Sequence, residues 1–164
     1  MNIILAGMPG SGKSVVSLAL ASKLGLKAVD TDALIVEKYG EISKIFAEHG
    51  EDYFRKTESE IIKKLASLDN TIIATGGGSL INQQNCEALR ATGKIFYLKT
   101  GVDELSKRLK GDLSRPLLSG DLETNLKNLY EHRAEFYEEA ADYTVQTDGL
   151  TPDEIAEKIM ELLK

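Results

Sequence analysis

Short, nearly all-apolar runs alternate along this chain with longer stretches whose apolar residues recur at helical spacing. The runs at 2–7, 27–30, 71–75, 94–99 and 143–147 read as strands. Asn2-Ile3-Ile4-Leu5-Ala6 is the clearest, with little polar alternation, as expected of a strand covered on both faces. Between the strands, 13–24, 32–39, 43–48, 51–67, 83–91, 102–110, 122–140 and 151–163 read as helices. This alternation predicts a parallel sheet with helices on both faces, a three-layer α/β architecture. The last helix carries the clearest start signal: Thr151 as N-cap, Pro152 at the first helical position and Glu154 three residues after the cap. Residues 111–120 break the pattern. With glycines, a proline and few periodic apolar positions, they read as a plain surface loop or a mobile cover over an active site.

Composition narrows the function classes. The 164 residues suit one domain, and neither a repeat nor a linker divides them. A formal charge of −6 argues against a nucleic-acid binder, which needs a basic face. No apolar run reaches membrane-spanning length, and the expectation is that no leader precedes the first strand. Cys86 is the only cysteine and sits in a polar helix with no nucleophile or metal signature. The expectation is a cytoplasmic protein.

The candidate chemistry begins at Gly7-Met8-Pro9-Gly10-Ser11-Gly12-Lys13-Ser14, which fits G-x-x-x-x-G-K-[ST] between a strand and a helix. Backbone N–H groups of such a loop wrap phosphate, and the helix behind adds its unpaired donors. Lys13 would reach the outer phosphates and Ser14 would ligate magnesium. In open parallel sheets ligands bind beyond the carboxyl ends of the strands. Those ends carry Asp30-Thr31-Asp32, Thr75-Gly76-Gly77-Gly78 and Lys99-Thr100-Gly101. Asp30 and Asp32 are the acids available to a metal shell or an acceptor hydroxyl. They are read as facing one cavity from an extended segment, or else as a turn and a helix cap. The three glycines suit close backbone approach, positive φ and exposed N–H donors. Arg55 and Glu58 share a helix face and, taken alone, read as a surface ion pair. Arg133, in an acidic helix, reads as a solvated charge. Arg115 lies in the candidate cover, where it could meet a transferring phosphoryl group. His49 and His132 read as surface residues.

Taken in order, Gly7 to Ser14, Asp30-Thr31-Asp32, Phe54-Arg55 with Glu58, Thr75-Gly76-Gly77-Gly78, Arg115-Pro116-Leu117-Leu118 and Arg133 before Phe136-Tyr137 resemble the shikimate kinases over essentially the whole chain. The resemblance implies a P-loop kinase fold of the nucleoside monophosphate kinase type. That fold has a five-stranded parallel sheet in the order 2-3-1-4-5, a short mobile lid near 110–121 and a substrate-binding helical region near 32–60. It implies transfer of the ATP γ-phosphate to the 3-hydroxyl of shikimate, in a monomer, with Mg2+. Gly10, Ser11, Gly12, Lys13, Ser14 and Val15 would hold the nucleotide, with Arg108 against the adenine and Arg115 closing on the phosphates. Asp32 would bind the reacting hydroxyl as base or aligner. Asp30 would act on the metal through water. Arg55 and Arg133 would clamp the carboxylate. Glu58 would hold Arg55, and Gly77 would donate its N–H, with Gly76 and Gly78 permitting the approach. Val15 departs from the threonine common in relatives. The alternatives are a gluconate kinase-like enzyme, and a nucleotide-binding module without catalysis.

Overall fold

The computed structural model describes residues 1–110, 116–118 and 120–164. Five strands, β1 (Asn2–Ala6), β2 (Lys27–Asp30), β3 (Thr71–Ala74), β4 (Gly93–Lys99) and β5 (Tyr143–Gln146), form one parallel sheet in the order β2-β3-β1-β4-β5. The expected order is therefore the observed one. The helices are α1 (Lys13–Leu24), α2 (Thr31–Tyr39), α3 (Ile42–His49), α4 (Glu51–Ala66), α5 (Gln83–Arg90), α6 (Val102–Leu109), α7 (Leu122–Ala140) and α8 (Pro152–Leu162). Two 3-10 turns that periodicity does not reveal, Ser79–Ile81 and Pro116–Leu118, follow the glycine run and precede α7.

Strand alternation sorts the core into two layers. Ile3 and Leu5 of β1 pack with Ile72, Phe96 and Leu98 against Val16 and Leu20 of α1 and Ile155 and Ile159 of α8. Ile4 and Ala6 face the other way, with Ile73 and Ile95, onto Ile35, Ile62, Leu65 and Leu89. Each fully buried aliphatic side chain contributes about 1.5–3 kcal/mol. A third cluster, of Met8, Tyr97, Leu105, Leu109, Leu118, Leu126 and Tyr137, lies beside the carboxyl ends of the strands. Thr151 forms the full capping box with Glu154 at the start of α8.

Helix α2 begins at Thr31, one residue earlier than its apolar pattern suggests, because Asp30 is its cap: the Asp30 carboxylate accepts from the Ala33 N–H at 3.1 Å. That corrects the extended-segment reading of the two acids. Asp30 ends β2, and Asp32 sits in the first turn of α2. Of the lid expected near 110–121, residues 111–115 and 119 lie outside the described residues, and so does the phosphate role given to Arg115.

Candidate active site

The phosphate loop joins β1 to α1. Gly10 and Gly12 adopt φ of +82° and +93°, conformations that suit glycine. A Cβ at Gly10 would stand 2.9 Å from the Leu109 side chain, so α6 packs tightly under the loop. Lys13 Nζ lies on the loop itself, 2.7 Å from the Gly7 carbonyl and 2.9 Å from that of Met8. The Ser11 hydroxyl is buried and has no hydrogen-bond partner among the described residues, which suits a loop built to receive an anion. Ser14 donates its hydroxyl to Asp30. Arg108 Nη1 donates to the Gly10 carbonyl at 3.0 Å while its Nε holds Glu104 at 3.1 Å, which places this arginine on the rim of the loop. Residues 10–16 with Asp30, Arg108, Leu150, Pro152 and Ile155 line a cleft of about 1150 Å³.

A second pocket opens beside it, among Pro9, Ile42, Phe54, Arg55, Glu58, Gly77, Gly78, Leu129 and Arg133. Asp32 lines both cavities. The pocket carries paired cations over an apolar floor. Arg55 Nη1 donates to Glu58 Oε1 at 3.0 Å, and its guanidinium lies 5.1 Å from the Phe54 ring centre. Glu58 is only 1% exposed and accepts from the Ser79 hydroxyl at 2.9 Å through its other oxygen. The pair is therefore not the surface ion pair that its spacing suggests in isolation. Arg133 departs further from expectation. It is 3% exposed rather than solvated, and its Nε has no hydrogen-bond partner among the described residues. A buried guanidinium with an unmet donor is costly unless an anion arrives.

The glycine run owes its composition to crowding. A Cβ at Gly76 would meet Asp32 Oδ1 at 2.7 Å and Glu58 Oε2 at 2.8 Å. At Gly77 it would meet Arg133 Nη1 at 2.9 Å, and at Gly78 it would meet Arg55 Nη1 at 2.5 Å. None of the three has positive φ, so close approach is the operative reason and the positive-φ expectation falls. The three N–H groups are also not equally available. That of Gly76 is taken by the buried Thr31 hydroxyl at 2.8 Å. Gly78→Ala is expected to displace the Arg55 guanidinium and weaken binding in the two-arginine pocket while leaving nucleotide binding at the phosphate loop nearly unchanged. Steady-state titration of each substrate checks this, and parallel losses for both would contradict it.

Burial pushes the Glu58 carboxyl up from its ordinary value, against the lowering influence of Arg55. The folded state thus binds this proton more tightly than the unfolded chain. The stability gained by protonation is fully present below about pH 4.5 and is lost as pH rises through the folded value. The melting temperature of wild type minus that of Glu58→Gln should therefore fall as pH rises from 4.5. A difference independent of pH would contradict the assignment.

Sequence reading misses Thr31, Ser79 and Tyr137, which touch the glycine run or Glu58 from behind. The available signal for Tyr137 is its position four residues after Arg133, on the same face of α7. The exposed His49 and His132 take no part in either cavity.

Comparison with known proteins agrees with this geometry. The family model described as shikimate kinase matches residues 9–164. A shikimate kinase from Legionella pneumophila is 42% identical, the match covering 99% of this chain and 94% of that protein. One from Caldicellulosiruptor bescii is 40% identical over 98% of this chain and 94% of its own. Among solved structures, a shikimate kinase from Acinetobacter baumannii in complex with shikimate superposes with a TM-score of 0.96 at 36% identity. That match covers 99% of this chain and 92% of the other. The chain belongs to the shikimate kinase family.

Proposed function

We propose that this chain transfers the γ-phosphate of ATP to the 3-hydroxyl of shikimate, giving ADP and shikimate 3-phosphate in the route to chorismate and the aromatic amino acids. The observation that carries this reading is the position of Asp32. It borders both the phosphate-loop cleft and the pocket holding Arg55 and Arg133, so one carboxylate would serve nucleotide and acceptor together.

The acceptor is a ring bearing one carboxylate and three hydroxyls. Arg55 and Arg133 would take the carboxylate with planar, charge-assisted donors. Glu58 holds Arg55 in place, and the backbone of Gly77 would complete the contacts. Gly76 and Gly78 keep the space in which Asp32, Glu58 and Arg55 stand. Asp32 would accept the proton of the attacking hydroxyl, or align it in line with the γ-phosphate. Lys13 would turn from the loop carbonyls onto the phosphates, Val15 would border the nucleotide, and Arg108 would contact its adenine end. Arg115 would stabilise the transferring group. Positioning and electrostatics carry most of the rate, because phosphoryl transfer asks little covalent chemistry of the protein.

The Ser14 hydroxyl and the Asp30 carboxylate offer hard oxygen donors beside the loop. Such donors fit Mg2+, which takes one or two protein oxygens and keeps several waters. Held by these residues, the ion would supply neutralisation of the phosphate charge. Asp30 would act on it through water. The same reading has residues 1–164 working as one domain, as a cytoplasmic monomer with no nucleic-acid or membrane partner. Among the described residues, no helix is long and apolar enough to cross a membrane.

Coupled ADP release with shikimate and with gluconate as acceptors tests the reading. Shikimate-dependent turnover is expected. Turnover with gluconate alone would replace the acceptor assignment, and ATP binding without turnover on either would favour a non-catalytic module.

A further inference from the structure

The glycine run is held from behind by anchors on both sides, and these anchors decide which of its N–H groups remain to be used. The Gly76 carbonyl accepts from the Ser79 N–H at 3.1 Å. The Gly77 carbonyl accepts from the Tyr137 hydroxyl. In a trans peptide the N–H points opposite to the carbonyl of the same plane. Fixing these two carbonyls therefore aims the N–H groups of Gly77 and Gly78, neither of which has a partner among the described residues. Both glycines line the pocket that holds Arg55 and Arg133.

Ser79 is a local anchor, but Tyr137 comes from a distant helix. It lies one turn beyond Arg133 on α7, and Arg133 packs against the same Gly77. Its ring centre lies 5.1 Å from that of Tyr97 in a tilted arrangement, and its oxygen is 3.9 Å from the Met8 sulfur in the phosphate loop. The Tyr137 side chain is 1% exposed, and burial pushes its phenol up to about 12, so it remains a protonated donor throughout the working range.

We propose that Tyr137 is a positioning residue for the acceptor: by anchoring the Gly77 carbonyl it sets the peptide plane that presents the Gly78 N–H, beside the Arg133 guanidinium carried on the same helix face. The inference rests on the shikimate-kinase reading of the site. Tyr137 lines neither cavity and acts through Gly77, Gly78 and Arg133.

The test compares wild type, Y137F and Y97F. Tyr97 is the control: it belongs to the same buried cluster, and its hydroxyl makes no hydrogen bond to the glycine run. Loss of one neutral hydrogen bond to a positioned group should raise the shikimate KM and Kd of Y137F about five- to tenfold. The ATP KM should stay at its wild-type value, and Y97F should match wild type for both substrates. In 15N–1H spectra the Gly78 amide should shift in Y137F and stay in place in Y97F. An unchanged shikimate Kd in Y137F, or equal losses for shikimate and ATP, would overturn the proposal. A wild-type protein that fails to phosphorylate shikimate would instead overturn the functional reading beneath it. Should Y137F not fold, the wild-type hydroxyl proton decides: slow exchange with solvent supports the anchor, and rapid exchange overturns it.

Discussion

Asp32→Ala is expected to lower kcat by about 10³-fold, the size of effect produced by removing a positioned acid–base group. ATP affinity should change little. The expectation follows from where the carboxylate stands. Asp32 borders both cavities, whereas the loop that would wrap the phosphates is built from residues 7–14 and braced by Leu109 and Arg108. Helix α2 should survive the change because its cap is Asp30, not Asp32. Single-turnover kinetics together with nucleotide titration separate the two quantities. A matching loss of ATP binding would mean that Asp32 serves the metal or the fold.

Arg133→Met should do two things in opposite directions. Truncating a buried charged partner of a bound carboxylate costs about 2–5 kcal/mol of binding, so shikimate affinity should fall at least about thirtyfold. The unliganded protein should become more stable, because a buried guanidinium with an orphaned Nε is replaced by an apolar side chain that fills much of the same space. Each kcal/mol recovered raises the melting temperature by roughly 2–4 °C in a chain of this size. Calorimetry without ligand and shikimate titration check the two halves. A variant that is both less stable and unaltered in shikimate affinity would assign Arg133 to structure alone.

The element order was legible because the central strands β1, β3 and β4 are short, largely apolar and buried, and because the punctuation is chemically strong. Thr151-Pro152 with Glu154 marks one helix start without tertiary help. The phosphate loop was legible for the same reason, since its glycines answer to local backbone geometry. The acceptor half was harder. Glu58 and Arg133 are charged residues placed on apolar stripes. Glu58 lies between Phe54 and Ile61 on the buried face of α4, and Arg133 lies with Leu126, Tyr137 and Ala140 on that of α7. Abundant glutamates around Arg133 mask that position. The relevant signal is the phase of the charge within the helix, not the local composition. The glycine run was read half correctly: close approach holds and positive φ does not. Its need for glycine comes from side chains of α2, α4 and α7, which no local pattern in 75–78 can announce. Likewise Asp30-Thr31-Asp32 looked like an extended pair until Asp30 was seen capping α2, with Thr31 turned inward to hold Gly76.

The central claim is that one carboxylate, between a phosphate loop and a two-arginine pocket, directs a phosphoryl group onto one hydroxyl of shikimate. Phosphorus NMR of the product formed from ATP and shikimate tests this most directly. Shikimate-dependent ADP formation should be accompanied by a single phosphomonoester coupled to the proton on C3. ADP formed without a shikimate ester, or an ester at another hydroxyl, would contradict the account.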